Sequence, residues 1–155
     1  MRKSIIHATG GAAAIVIIST FWISTLVSEL LLDNSAVVVV KHAIVNYGLA
    51  PLIIVMAIVG GSGNLLANGR SGGLVGAKKR RMPILVANAV LVMIPSAFFL
   101  NYKASSGQFD SWFYVVQVAE LAVGLVQLSI LRLNFRDGLI MTGRMRLKPK
   151  PTKKS

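Results

Sequence analysis

The sequence predicts an all-α membrane protein: four transmembrane helices in an up-down-up-down antiparallel bundle, with an interfacial helix near the C-terminus. Three observations carry this. The 155-residue chain is 54% hydrophobic and only 14% charged, whereas soluble domains average about 25% charged residues. The apolar residues gather in four long runs, at 8–31, 36–59, 83–100 and 112–131. Each approaches the ~20 residues a helix needs to cross a hydrocarbon layer ~30 Å thick. The basic residues alternate from one side of these runs to the other, as the positive-inside rule requires of an even number of spans.

The first run, ATGGAAAIVIISTFWISTLVSELL, follows the basic pair Arg2 and Lys3. Its length exceeds the hydrophobic region of a signal peptide, and no small-residue cleavage pattern follows. It is expected to be a retained span, with Gly10 and Ala14 allowing close approach of a neighbouring helix. The second run, AVVVVKHAIVNYGLAPLIIVMAIV, is joined to the first by the short LDNS connection. Residues 60–82, GGSGNLLANGRSGGLVGAKKRRM, read as a glycine-rich basic loop, with Gly60 to Gly63 ending the second span. The third run, PILVANAVLVMIPSAFFL, is linked to the fourth by NYKASSGQFDS. Residues 1–147 are expected to form one transmembrane domain, and 148–155, KPKPTKKS, a basic disordered tail.

The formal charge of +12 is concentrated before span 1, between spans 2 and 3, and after Leu131. This pattern predicts a bacterial inner membrane protein with both termini cytoplasmic. Tyr102, Trp112 and Tyr114 would then mark the outer interface. The charge is explained by topology and by anionic lipid head groups, with Lys78, Lys79, Arg80, Arg81, Arg144 and Arg146 as expected contacts. No nucleic-acid partner is needed. The absence of cysteine excludes disulfides and thiol chemistry.

Several catalytic readings fail on their chemistry. GSGNLLANG lacks the strand before it and the Gly-Lys-Ser/Thr ending of a phosphate loop. Ser62, in GGSG, and His7 share the cytoplasmic side, but a serine nucleophile also needs a base in reach and an oxyanion hole. Haem b between two imidazoles is not feasible within one chain, because His7 and His42 are separated by more than ~20 Å along the bundle axis. His42 with Met93, at similar depth, is the alternative ligand set. No other metal site is expected.

The strongest pattern is a set of polar residues in apolar spans. Gln117, Glu120, Gly124 and Gln127 fall within about 80° of one another at 100° per residue. Glu120 lies roughly 12 Å deep from the outer side, at a depth bracketed by His42 and Asn46 on span 2. Asn88 and Ser96 share a face of span 3, and Ser24, Thr25 and Ser28 supply hydroxyls on span 1. Lipid cannot satisfy such groups, so they should turn inward. The expected buried cluster is Glu120, His42, Asn46, Gln117, Gln127 and Asn88. Glu29 and Lys41 are expected to form an ion pair near the outer surface. Pro51 and Pro95 should free the Tyr47 and Leu91 carbonyls, leaving an irregular interior.

These features predict an accessory subunit that binds a membrane-protein partner or a second copy of itself. The alternatives are a haem or quinone redox protein and a proton-coupled transporter or channel subunit.

Overall fold

The computed structural model describes residues 2–69 and 72–145. The described chain forms four long helices and no strand: α1 (Arg2–Leu31), α2 (Asn34–Leu66), α3 (Gly73–Ser105) and α4 (Ser111–Met141). All four are long and apolar enough to cross a membrane. Consecutive helices run antiparallel. His7 meets Ser62 and Gly48 abuts Phe21 between α1 and α2, while Arg81 reaches Asp137 and Lys103 reaches Asp110 between α3 and α4. The two short connections, after Leu31 and after Ser105, lie at one end of the bundle, here the hairpin end. The start of α1, the α2–α3 turn and the end of α4 lie at the opposite, basic end.

The helices outrun the expected spans, chiefly at the basic end. Residues 60–66 and 73–82, expected in a loop, are helical, and Gly60 to Gly63 do not terminate α2. The reason is packing. The His7 ring lies against Gly63, where an added Cβ would sit 3.0 Å from Cε1. Its Nδ1 is 3.1 Å from both the Val59 carbonyl and Ser62 Oγ, so α1 holds this part of α2 in helical form. Likewise the stretch after Leu131 is not a separate interfacial helix but the continuation of α4 to Met141. Arg146 and the expected tail lie outside the described residues.

Two of the three prolines inside helices, Pro51 and Pro95, follow a π-helical segment. Ile44–Gly48 contains Tyr47 and precedes Pro51, and Asn88–Met93 contains Leu91 and precedes Pro95. Each proline removes the N–H that would bond the carbonyl four residues earlier, and the helix widens around that carbonyl. Pro83 also sits inside α3, close to the basic end, without such a segment.

Two apolar clusters hold the bundle. Val37, Leu100, Ala104 and Phe113 join α2, α3 and α4 at the hairpin end. Ile18, Leu85 and Leu131 join α1, α3 and α4 nearer the basic end. Both hairpins close on an aspartate cap. Asp33 Oδ1 accepts from the Ala36 amide at 3.1 Å and from the Ser35 hydroxyl at 2.8 Å. Asp110 accepts from the Phe113 amide at 3.0 Å and from Lys103 Nζ at 2.6 Å. The Ser35 hydroxyl holds the Asp33 carboxyl below the usual range, and Lys103 does the same for Asp110.

Two outcomes follow. A depressed folded-state pKa stabilises above the unfolded value near ~3.9 and loses that contribution as pH falls through the folded value. The melting temperature in detergent should therefore decline below about pH 4, and an Asp33→Asn/Asp110→Asn variant should decline less. Gly48→Ala drives a Cβ into the Phe21 ring and should destabilise by about 1–3 kcal/mol. Phe21→Leu in the same chain should recover part of that loss, as read by thermal unfolding.

Candidate functional site: a buried ion pair above an apolar cavity

Helix α4 carries the polar interior. Its buried residues Phe113, Gln117, Gly124, Gln127, Leu131, Asn134 and Asp137, with Glu120 among them, recur at spacings of three and four. That recurrence keeps one seam facing neighbouring helices as they wind around each other.

Glu120 is paired with Lys41, not with His42. Lys41 Nζ lies 3.0 Å from Glu120 Oε2, and the lysine side chain is only 2% exposed. Gln117 Nε2 approaches the same oxygen at 3.4 Å. His42 and Asn46 are exposed on the outer face of α2 with Tyr47, and Asn46 Nδ2 donates back to the His42 carbonyl. The expected buried cluster therefore loses both residues. Lys41 and His42 have nearly the same depth but differ by about 100° in direction. Val37 and Lys41, one turn apart, take the inward face and turn His42 outward.

The expected Glu29–Lys41 pair is replaced by this arrangement. Glu29 is half-buried, its Oε1 lacks a hydrogen-bond partner, and it feels the charges of both Lys41 and Glu120. Two carboxylates thus face one ammonium. Gln127, 2% exposed, donates to the Leu85 carbonyl at 3.2 Å, just before the π segment of α3. Asn88 is half-buried, Ser96 is buried on α3, and Thr25 and Ser28 are buried on α1.

A second polar centre went unpredicted. Asp137, fully buried, accepts from Arg81 Nη1 at 2.7 Å and from Arg136 Nη2 at 3.0 Å. Arg81 also donates to Asn134 Oδ1 at 3.3 Å. Arg81, expected at lipid head groups, is therefore committed to the interior, and Lys78 is half-buried beside Gly138. Arg80, Lys79 and Arg144 are exposed. Continuing the inward seam of α4 past Leu131 in steps of three would have reached Asn134 and Asp137.

Between these two centres lies a cavity of about 470 Å³ walled by all four helices. Its lining is apolar except for Thr25, Glu120, Gln127 and the indole of Trp22, whose N–H is spent on the Leu121 carbonyl at 2.9 Å. Met93 faces this cavity, whereas His42 lines a separate shallow depression with Val38, Val39, Ala43 and Tyr47. The two expected haem ligands are not brought together. The cavity has an opening. The basic-end half of α2 packs on α1 and that of α3 on α4, while the two halves scarcely touch each other. The exposed lining residues Ile53, Ala57, Val86 and Val90 lie on α2 and α3 and border this gap.

The Ser62–His7 contact does not make a nucleophile. Ser62 Oγ donates to the Ile58 carbonyl at 2.6 Å, and His7 Nδ1 faces the Val59 carbonyl, which requires a donor. The histidine nitrogen next to the serine therefore carries a proton and cannot act as its base. No family model, curated protein or solved structure matches the chain.

Lys41→Met strands Glu120 in an apolar setting and should cost about 3–5 kcal/mol of stability. Lys41→Met/Glu120→Gln should recover most of it, as measured by thermal unfolding in detergent.

Proposed function

We propose that this is a small integral membrane protein that takes up a lipophilic guest laterally from the bilayer, through the gap between α2 and α3. The observation that supports it is the apolar cavity of about 470 Å³ with exposed apolar residues at its mouth. That volume falls within the ~300–1,000 Å³ of pockets that enclose small ligands. A gap bordered by Ile53, Ala57, Val86 and Val90 excludes water and strongly hydrated ions but costs little to a lipophilic molecule already in lipid.

The geometry favours a small guest over the partner helix expected of an accessory subunit. A transmembrane helix needs ~20 residues of continuous contact, but α2 and α3 close on each other at the hairpin end through Val37, Leu100 and Ala104. In this reading the basic end faces the cytoplasm of a bacterial cell, with Lys79 and Arg80 at the level of anionic lipid head groups. The exposed Tyr102, Trp112 and Tyr114 sit at the opposite interface.

Trp22 reports on the cavity directly. The chain has two tryptophans, so Trp112→Phe leaves Trp22 as the sole emitter. In lipid nanodiscs, a brominated alkane added at low mole fraction should quench Trp22 along a saturating curve. A Trp22→Phe variant, which reports from exposed Trp112, should respond linearly. A linear response at Trp22 would rule out a discrete guest site.

A further inference from the structure

We infer that the guest of this cavity is a lipophilic cation, received by Glu120 against the aromatic wall formed by Phe21 and Trp22. The inference rests on the uptake reading above and names the ligand class of that same site.

The first support is charge. Glu120 lines the cavity, and Glu29 stands within electrostatic reach of both Glu120 and Lys41. Two acidic side chains therefore stand beside one lysine, which is bonded to Glu120. The other lysine at the hairpin end, Lys103, is engaged by Asp110 at 2.6 Å. The cluster thus holds one acidic side chain more than its single basic one, in a region where isolated charge is costly. A cation entering from the cavity offsets it.

The second support is the disposition of polar atoms. Lys41 and Gln117 both approach Glu120 Oε2, and among the described residues no hydrogen bond reaches Oε1. The Trp22 N–H and one Gln127 amide N–H are already donated to backbone carbonyls, while Gln127 Oε1 is buried and has no partner. The polar lining thus offers a carboxylate oxygen and an unpartnered amide oxygen, acceptors that suit a cation.

The third support is the wall itself. Phe21 and Trp22 line the cavity on α1, opposite the gap. Aromatic faces attract cations, most strongly where water is excluded. A cation whose charge is spread under apolar groups pays little desolvation on entering, and the remaining apolar lining covers those groups. A compact, strongly hydrated ion would gain nothing from that lining.

Tetraphenylphosphonium and tetraphenylborate share size and shape and differ in sign, so they isolate the charge. Binding of each to the full-length protein in neutral detergent micelles would be measured by isothermal titration, with protein-free micelles subtracted. The cation should bind about ten-fold tighter than the anion, a difference easily resolved in affinity. Glu120→Gln should bring the two affinities to within about two-fold. Glu29→Gln/Lys41→Gln/Glu120→Gln, which removes every charge of the cluster, should do the same and guards against misfolding of the single variant. Equal or tighter binding of tetraphenylborate by the wild type would overturn the inference, as would a preference that survives both substitutions. If neither ion bound while the brominated alkane still quenched Trp22 saturably, the cation assignment would fall and the uptake reading would stand. Loss of all three signals would remove both.

Discussion

Everything in this bundle is arranged around the need to satisfy polar groups without water, and α4 is where that need is met. Each other helix sends at least one donor to it. Lys41 of α2 reaches Glu120, Arg81 of α3 reaches Asp137, and Trp22 of α1 reaches the Leu121 carbonyl. Gln127 of α4 returns the favour to Leu85 of α3. In hydrocarbon an unsatisfied polar group costs several kcal/mol, so these contacts set which face of each helix turns inward. The choice of Lys41 over its neighbour His42 follows from it.

The same pairing scheme explains why the interior is not filled. At the basic end α2 is bound to α1 through His7, and α3 is bound to α4 through Arg81 and Leu85. Among the described residues the basic-end halves of α2 and α3 share few contacts, and these two helices part. The prolines add to this. Widening α2 before Pro51 and α3 before Pro95 changes the direction of the side chains that follow, and Ile44, Ala89, Val90 and Met93 of the π segments all lie on the cavity wall. Gap and irregular backbone occupy the same part of the molecule, as expected if backbone away from regular helix is tolerated only where it borders a cavity.

Much of the architecture was legible in the sequence because hydropathy reports membrane crossing directly. The four helices and the two proline sites fall where composition and the missing N–H groups predict. Helix ends were not legible at the basic end. Glycine and lysine normally signal a loop, but at Gly63 the absence of a side chain admits His7 and preserves the helix. The polar cluster was half legible. Counting residues gives depth, and depth identified Glu120, Gln117 and Gln127 as interior groups. It cannot separate Lys41 from His42, because adjacent residues differ in direction and not in height. Asp137 was missed for a simpler reason: basic residues around it suggested an interface, and the inward seam was not followed beyond Leu131.

The two ion-pair centres also divide the labour of the molecule. Asp137 is enclosed by Arg81 and Arg136, with Asn134 sharing Arg81, so its charge is answered within the protein. Glu120 is answered only in part: Lys41 and Gln117 both approach Oε2, Glu29 stands close by, and Glu120 borders the cavity as well. A purely structural fastening would be expected to resemble the Asp137 centre, whose buried carboxylate is bonded through both of its oxygens. An imbalance placed beside an apolar space, with an opening toward lipid, is what a site requires if binding is to complete the charge balance. The fold keeps its rigid pairing at one end and leaves the incomplete one where a guest from the bilayer can reach it.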